Sequence, residues 1–409
     1  MSARDPGAHI SMKQLRSVKF LLCAAAQVAL LPACGDYTYK PVGGQPGAGA
    51  TGGSSSATGG SSSGTSGSGG TSGTGGSGGT LPCDIFQQAG HPCVSAHSTV
   101  RALVSGFTGN LYQVKRAAGD TLEVGVVDGY ADVAKQDAFC AGTSCVASVI
   151  YDQSPRGNHL TPAVPGSQKP TPGDPATIGD HKVMINGHAA YGLLFRQGQG
   201  YRTACNTCVY PNTDTSGMAV GDEPESMYMV TSQHDLLTGC CFDYGNAERT
   251  ASNDGNGTME AVYVGQGVIW GTGVGDGPWV MADLENGLYP GWENDQFFDI
   301  STNTSLLYDF ITAVVVGDTA DKNGGKGRFA LYGGDATTGA LKTMYDGIRP
   351  TKPGYVPMQK QGSIILSIGG DNSNGAGGRF YEGVIVSGAA SKETVDALQA
   401  SIVAVGYGK

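Results

Sequence analysis

The chain has 409 residues, 67 of them Gly, with 39% hydrophobic and 15% charged residues and a formal net charge of -10. Length allows two or three domains, but so little charge excludes a coiled coil, which needs far more Glu, Lys and Leu. An acidic chain repels phosphate, which argues against nucleic-acid binding, and no apolar run reaches the roughly 20 residues of a membrane-spanning helix.

Lys13, Arg16 and Lys19 precede an apolar stretch from Phe20 to Ala33, the order of an export signal. The stretch ends Leu31-Pro32-Ala33-Cys34, which resembles a bacterial lipobox. Residues 1–34 therefore read as a lipoprotein-type signal, with ordinary cleavage nearby as the alternative. Lipidation of Cys34 would anchor the protein to a membrane without spanning it. Residues 35–80 follow as a linker, almost wholly Gly, Ser and Thr from Gly43 onward. Such a segment buries too little apolar surface to offset its conformational entropy and is expected to be a flexible coil reaching about 35 Å.

Residues 81–409 read as one domain. Short β-rich runs recur between Gly-, Asn- and Asp-rich turns: Val146–Tyr151, Met227–Val230, Ala261–Val264, Thr312–Val316, Arg328–Tyr332, Ser363–Ile368 and Gly383–Val386. Many short strands with turn signals predict an all-β sandwich or barrel. One helix is expected at the C-terminus, with Ser391 as N-cap, Val395, Leu398, Ile402 and Val405 on one face, and Gly406 as the stop.

Ten Cys are present, and Cys23 and Cys34 fall in the signal. The other eight suggest local disulfides Cys83–Cys93, Cys140–Cys145, Cys205–Cys208 and Cys240–Cys241. A metal site from Cys205 and Cys208 with Cys240 or Cys241 is the rival, but a second CxxC is missing. For the adjacent pair, two thiols pairing elsewhere is the other alternative.

No HExxH, phosphate-loop or dinucleotide-binding pattern occurs, so no metal or cofactor is expected. The loop Asp371-Asn372-Ser373-Asn374-Gly375 fails the EF-hand pattern, because Ala376 stands where Gly is required. What remains is carboxylates and aromatics in Gly-rich loops, which suits carbohydrate chemistry. In Trp279-Val-Met-Ala-Asp283-Leu-Glu285-Asn286, a continuous strand would put Asp283 and Glu285 on one face. A solvent-facing polar stripe is the plainer reading. Asp371 alone reads as a turn residue.

Several segments together carry a resemblance. They are Cys83–Cys93 with Val94–Leu103, Ile150-Tyr-Asp-Gln-Ser154, Cys240-Cys-Phe-Asp-Tyr-Gly-Asn-Ala-Glu248, Gly275–Trp279, Asp283-Leu-Glu-Asn286 and Ile368–Gly375 with Phe380-Tyr-Glu-Gly383. Their order and spacing resemble the catalytic domain of the α-L-arabinofuranosidase B family, glycoside hydrolase family 54, over nearly all of residues 81–409. The resemblance implies a concanavalin-like β-sandwich (jelly roll) with a few short helices. It implies a retaining, exo-acting hydrolase of arabinan or arabinoxylan. Glu285 matches the nucleophile and Asp371 the general acid/base. Asp283, Asn286 and Gly370 match positions that hold the sugar, Trp270 a pocket aromatic, and Cys240–Cys241 a vicinal disulfide under the sugar. On this reading Glu285 is ionised, Asp371 starts protonated, and the two carboxyls lie about 5–5.5 Å apart.

The same fold with other pocket walls would suit a galactofuranosidase or β-xylosidase, and loss of catalysis would leave a glycan-binding module. The expected partners are arabinose-containing plant cell-wall polysaccharides, with a monomeric protein exported or lipid-anchored at the cell surface. Two departures stand out. Gly287 replaces a second Asn common in the family, and the chain stops at Lys409, where relatives typically continue into an arabinose-binding β-trefoil. Surface anchoring is expected to take over that module's targeting role.

Overall fold

The computed structural model describes residues 80–203, 215–293 and 299–409. The expected signal, Cys34, the body of the linker, and the Cys205–Cys208 pair lie outside the described residues.

Two antiparallel sheets face each other. In the first, the order is Lys342–Gly347, Arg328–Asp335, Ile311–Asp318, Glu225–Leu237, Gly377–Ser387 and then Cys93–Ser98. In the second, Leu288–Tyr289, Trp279–Asp283, Glu260–Gly265, Asp243–Ala247, Ser363–Leu366, Tyr201–Thr203, Leu160–Pro162 and Cys145–Ile150 follow one another. The hairpin of Thr177–Ile185 and His188–Leu194 bridges them, pairing with Cys145–Ile150 on one side and Gly377–Ser387 on the other. The expected β-sandwich is what forms, and each of the seven β-rich runs lies in or overlaps a strand.

Side-chain alternation explains the layering. Met227, Met229, Ala313, Val315, Phe329 and Leu331 of the first sheet meet Tyr244, Val262, Val264, Val280, Ala282 and Ile364 of the second. The reverse face of the first sheet, with Tyr228, Val230, Val314 and Val316, packs on Phe86 of a short helix, Pro82–Gln88, and on Val395, Leu398 and Ile402 of the C-terminal helix. A sheet covered on both faces needs apolar residues at successive positions, hence the unbroken run Thr312–Val316. The C-terminal helix, Lys392–Val405, begins where expected: Ser391 accepts from the Thr394 amide, and Gly406 closes it at φ 75°.

The second sheet is different. Its outward positions mix small, aromatic and acidic residues with one methionine: Asp243, Ala247, Ala261, Tyr263, Met281 and Asp283. These line the side on which the loops after the strands converge.

Candidate active site

Asp283 ends the strand Trp279–Asp283, and Glu285 is not in it. The expectation that the two share a strand face is therefore corrected. The chain turns at once: Glu285 and Asn286 both adopt left-handed backbone, φ 64° and 59°. That conformation costs a non-Gly residue free energy and is retained where surroundings over-determine it. Here the Glu285 amide donates to Asp283 Oδ1 at 3.1 Å, and Tyr355 Oη donates to the Glu285 carbonyl at 2.6 Å. The turn lifts the Glu285 carboxyl into the same space as Asp283 instead of leaving it two residues along a flat strand.

Asp371 follows the strand Ser363–Leu366 in a turn, as its sequence suggested. The Ser373 amide donates to its Oδ1 at 2.8 Å. Gly370 brings this turn against Glu285: a Cβ at Gly370 would collide with Glu248 Oε2 and lie 3.1 Å from Glu285 Oε2. Glycine is required there by close approach, not by backbone conformation. Gly370→Ala is expected to lower kcat/KM by about 10²-fold with the fold intact, because small misplacements at a reacting centre cost that much. Steady-state kinetics beside a thermal melt checks it.

Cys83–Cys93, Cys140–Cys145 and Cys240–Cys241 are bonded. The Cys240–Cys241 disulfide is buried immediately before the strand Asp243–Ala247, with its sulfurs 3.8 and 3.4 Å from Asp283 Oδ2. Cys240, Cys241, Asp243 and Asp283 gather their ligand-type atoms within 4.8 Å. Sulfurs joined in a disulfide offer no thiolate, so this donor set does not suit zinc.

Trp270 and Asn286 sit at the rim. The Trp270 indole N–H donates to the Asn286 carbonyl, its ring lies parallel to Tyr289 with centroids 6.3 Å apart, and Lys352 Nζ is 4.0 Å from its centroid. A Cβ at Gly287 would collide with Trp270 Cδ1, so the glycine that departs from the family pattern is what lets the indole close onto this turn. The Asn286 amide is shared with Asn253 and Asn256.

Three buried groups escaped sequence reasoning. Arg202, on the strand Tyr201–Thr203, donates from Nη1 to the Gly370 carbonyl at 3.1 Å, also to Asn372 Oδ1, and from Nη2 to the Glu248 carbonyl. Glu248 and Asp243 complete a cluster of carboxyls with Asp283, Glu285 and Asp371. Glu248 closes the motif segment that begins at Cys240 and Asp243 lies within it, yet nothing local marks either as part of a site.

So many acids in one buried place cannot all ionise. Burial, then Glu248, Asp283 and Asp371, push Glu285 up to about 12. Burial raises Asp283 and Glu248 to about 7 each, and burial with Asp283 holds Asp243 well above the carboxylate range. Glu285, expected to be the ionised member, is thus among those whose proton is held strongly. Its cause is the crowd of neighbours that the sequence did not show.

This sets a sign for stability. Raised carboxyls keep protons in the folded state that the unfolded chain releases near pH ~4. Native protein then binds more protons than unfolded, so stability falls as pH rises through about 7. Buried His97, lowered to about 4 by burial, opposes this only below its unfolded value near ~6.5. The melting temperature is expected to drop by on the order of 5 °C from pH 5.5 to pH 8. Melts across that range check it.

Comparison with known proteins identifies the family. The family model "Alpha-L-arabinofuranosidase B, catalytic" matches residues 82–408. A probable α-L-arabinofuranosidase B of Aspergillus fumigatus is 48% identical over 334 residues, 80% of this chain and 62% of that protein. An α-L-arabinofuranosidase of Hypocrea jecorina is also 48% identical, over 80% of this chain and 63% of its own. The chain thus spans about 62% of the length of the curated relatives it matches. A solved arabinofuranosidase complexed with arabinofuranosyl-α-1,2-xylobiose aligns with TM-score 0.73 and 44% identity, covering 80% of this chain and 65% of that one. A GH54 α-L-arabinofuranosidase soaked with a cyclic sulfate inhibitor aligns equally well, covering 66% of its chain. This chain belongs to the α-L-arabinofuranosidase B catalytic-domain family, glycoside hydrolase family 54.

Proposed function

We propose that the protein is a retaining, exo-acting α-L-arabinofuranosidase that removes terminal arabinofuranosyl groups from arabinoxylan or arabinan. The observation that supports it most is the convergence of Asp283, Glu285, Gly370 and Asp371 beside the Cys240–Cys241 disulfide, the residues to which the sequence resemblance assigns the site. Glu285 attacks the anomeric carbon while Asp371 gives its proton to the leaving oxygen. Water then hydrolyses the arabinosyl ester, with Asp371 as base. Asp283 accepts hydrogen bonds from sugar hydroxyls. The disulfide offers a rigid apolar floor for a small five-membered ring, and the Trp270 edge walls the rim. Asn286, whose amide is already engaged with Asn253 and Asn256, contributes through that network.

A solved relative carries an arabinofuranosyl-substituted xylobiose, which favours decorated xylan as substrate. The reading is tested by incubating the protein with arabinofuranosyl-α-1,2-xylobiose. Arabinose and intact xylobiose are expected. Xylose without arabinose, or no product, would overturn it.

Disulfides between Cys83 and Cys93 and between Cys140 and Cys145 fit an oxidising, extracytoplasmic compartment. We infer export with a lipid anchor at Cys34 and residues 35–80 as the tether. Cys34→Ser is expected to move the protein from the membrane fraction to the soluble fraction, and unchanged fractionation would remove the anchor.

A further inference from the structure

Glu248 has no part in the reaction proposed above. It follows the strand Asp243–Ala247 and is 0% exposed. Its Oε1 accepts a hydrogen bond from the Thr258 hydroxyl, and its main-chain carbonyl is held by Arg202 Nη2. Oε2 has no such partner. It occupies the space that a Cβ at Gly370 would fill, and Glu285 Oε2 lies 3.1 Å from that same point. Two carboxyl groups are therefore brought face to face through one oxygen each. They can stay so only while the pair keeps at least one proton, because two carboxylates in contact in a buried site repel.

Retaining chemistry needs Glu285 as a carboxylate. Glu285, however, is surrounded by Glu248, Asp283 and Asp371, which favour its protonation. The conflict is resolved if the pair's single proton rests on the other member when the sugar is bound. Glu248 suits that role, because it is more deeply buried than Glu285, at 0% against 6% exposed, and its second oxygen is already satisfied.

We propose that Glu248 is a positioning residue that takes the proton shared with Glu285, so that Glu285 attacks as a carboxylate held by a hydrogen bond from Glu248. The proton passes from Glu285 Oε2 to Glu248 Oε2, with no net gain or loss. It stays on Glu248 through the ester intermediate and stabilises the Glu285 carboxylate when water releases the sugar. The role rests on the arabinofuranosidase reading and specifies how its nucleophile is made ready. Burial raises Glu248 to about 7 and burial with its neighbours raises Glu285 to about 12, so the pair gives up one proton near neutrality and keeps the shared one above it. The groups facing the pair are Arg202 from the strand Tyr201–Thr203, Thr258, and the carboxyls Asp283 and Asp371.

The test is kcat and KM of the full chain on an aryl α-L-arabinofuranoside from pH 4.5 to 8.5, for wild type, Glu248→Gln and Glu248→Leu, each checked by thermal melt. The Gln amide donates as protonated Glu248 does but has no proton to lose. E248Q is expected to stay within about tenfold of wild type in kcat at pH 5, with KM little changed. E248L, without a donor, should lose about 10²-fold in kcat at all pH values with KM little changed. If E248L fails to fold, the same loss is sought in Glu248→Met. E248Q as impaired as the variant without a donor, or a variant without a donor as active as E248Q, would overturn the role. A folded wild type with no hydrolysis at any pH would overturn the arabinofuranosidase reading, and this role with it.

Discussion

Glu285→Gln is expected to lower kcat on an aryl α-L-arabinofuranoside by at least about 10⁴-fold while the protein stays folded. The amide has nearly the same shape, so the left-handed turn and the contacts from Asp283 and Tyr355, which are made to the main chain, remain. What is lost is the nucleophile proposed above. An amide oxygen at the anomeric carbon forms no stable ester, and no neighbour is placed to replace it: Asp283 is engaged with the Glu285 amide, and Asp371 is assigned the proton transfer in the same proposal. Substrate affinity should change little, since the sugar's hydroxyls are held by other groups. The substitution also removes an acid from the crowded cluster, so E285Q is expected to melt no lower than wild type at pH 8. Turnover within tenfold of wild type would deny Glu285 the nucleophile's role.

The second large effect is on stability. Arg202→Met is expected to cost about 3–5 kcal/mol, or roughly a 10 °C drop in melting temperature. Arg202 is 2% exposed, and it joins two segments that build the site: the turn holding Gly370 and Asn372, and Glu248 just after the strand Asp243–Ala247. Met fills similar volume but leaves those carbonyls without a donor. It also removes a buried cation that interacts with Glu248, Asp371 and Glu285. The loss should be larger at pH 8 than at pH 5, because at pH 5 the raised carboxyls carry protons and need less compensation. Thermal melts at both pH values check the sign. An equal loss at both would reduce Arg202 to a hydrogen-bonding strut.

Much of this fold was legible because its signals are local. The runs Thr312–Val316 and Arg328–Tyr332 read as strands since a sheet covered on both faces keeps apolar residues at every position. Ser391 and Gly406 marked the last helix because caps act on the next few amides and carbonyls. The spacing of Cys83 with Cys93 and of Cys140 with Cys145 gave their bonds directly.

The site was legible only where a motif was contiguous. Asp283, Glu285, Gly370 and Asp371 were found through resemblance, but their geometry was not. Neither Glu285 nor Asn286 announces a left-handed turn, since that conformation is imposed by Asp283 and Tyr355, the latter seventy residues away in sequence. Arg202 reaches Gly370 across 168 positions, and an isolated Arg in a short strand looks like any surface charge. Glu248 and Asp243 look like ordinary acids until the sheet aligns them with Asp283 and Glu285. The raised proton affinity of Glu285 was hidden for this reason: it depends on neighbours that only the fold assembles.

The measurement that bears most directly on the central claim is the stereochemistry of transfer. Wild type and E285Q would be given 4-nitrophenyl α-L-arabinofuranoside in aqueous methanol, and the methyl glycoside formed first would be identified by proton NMR. A double displacement through Glu285 predicts methyl α-L-arabinofuranoside from wild type and none from E285Q. Methyl β-L-arabinofuranoside from wild type, or undiminished α-product from E285Q, would contradict the account.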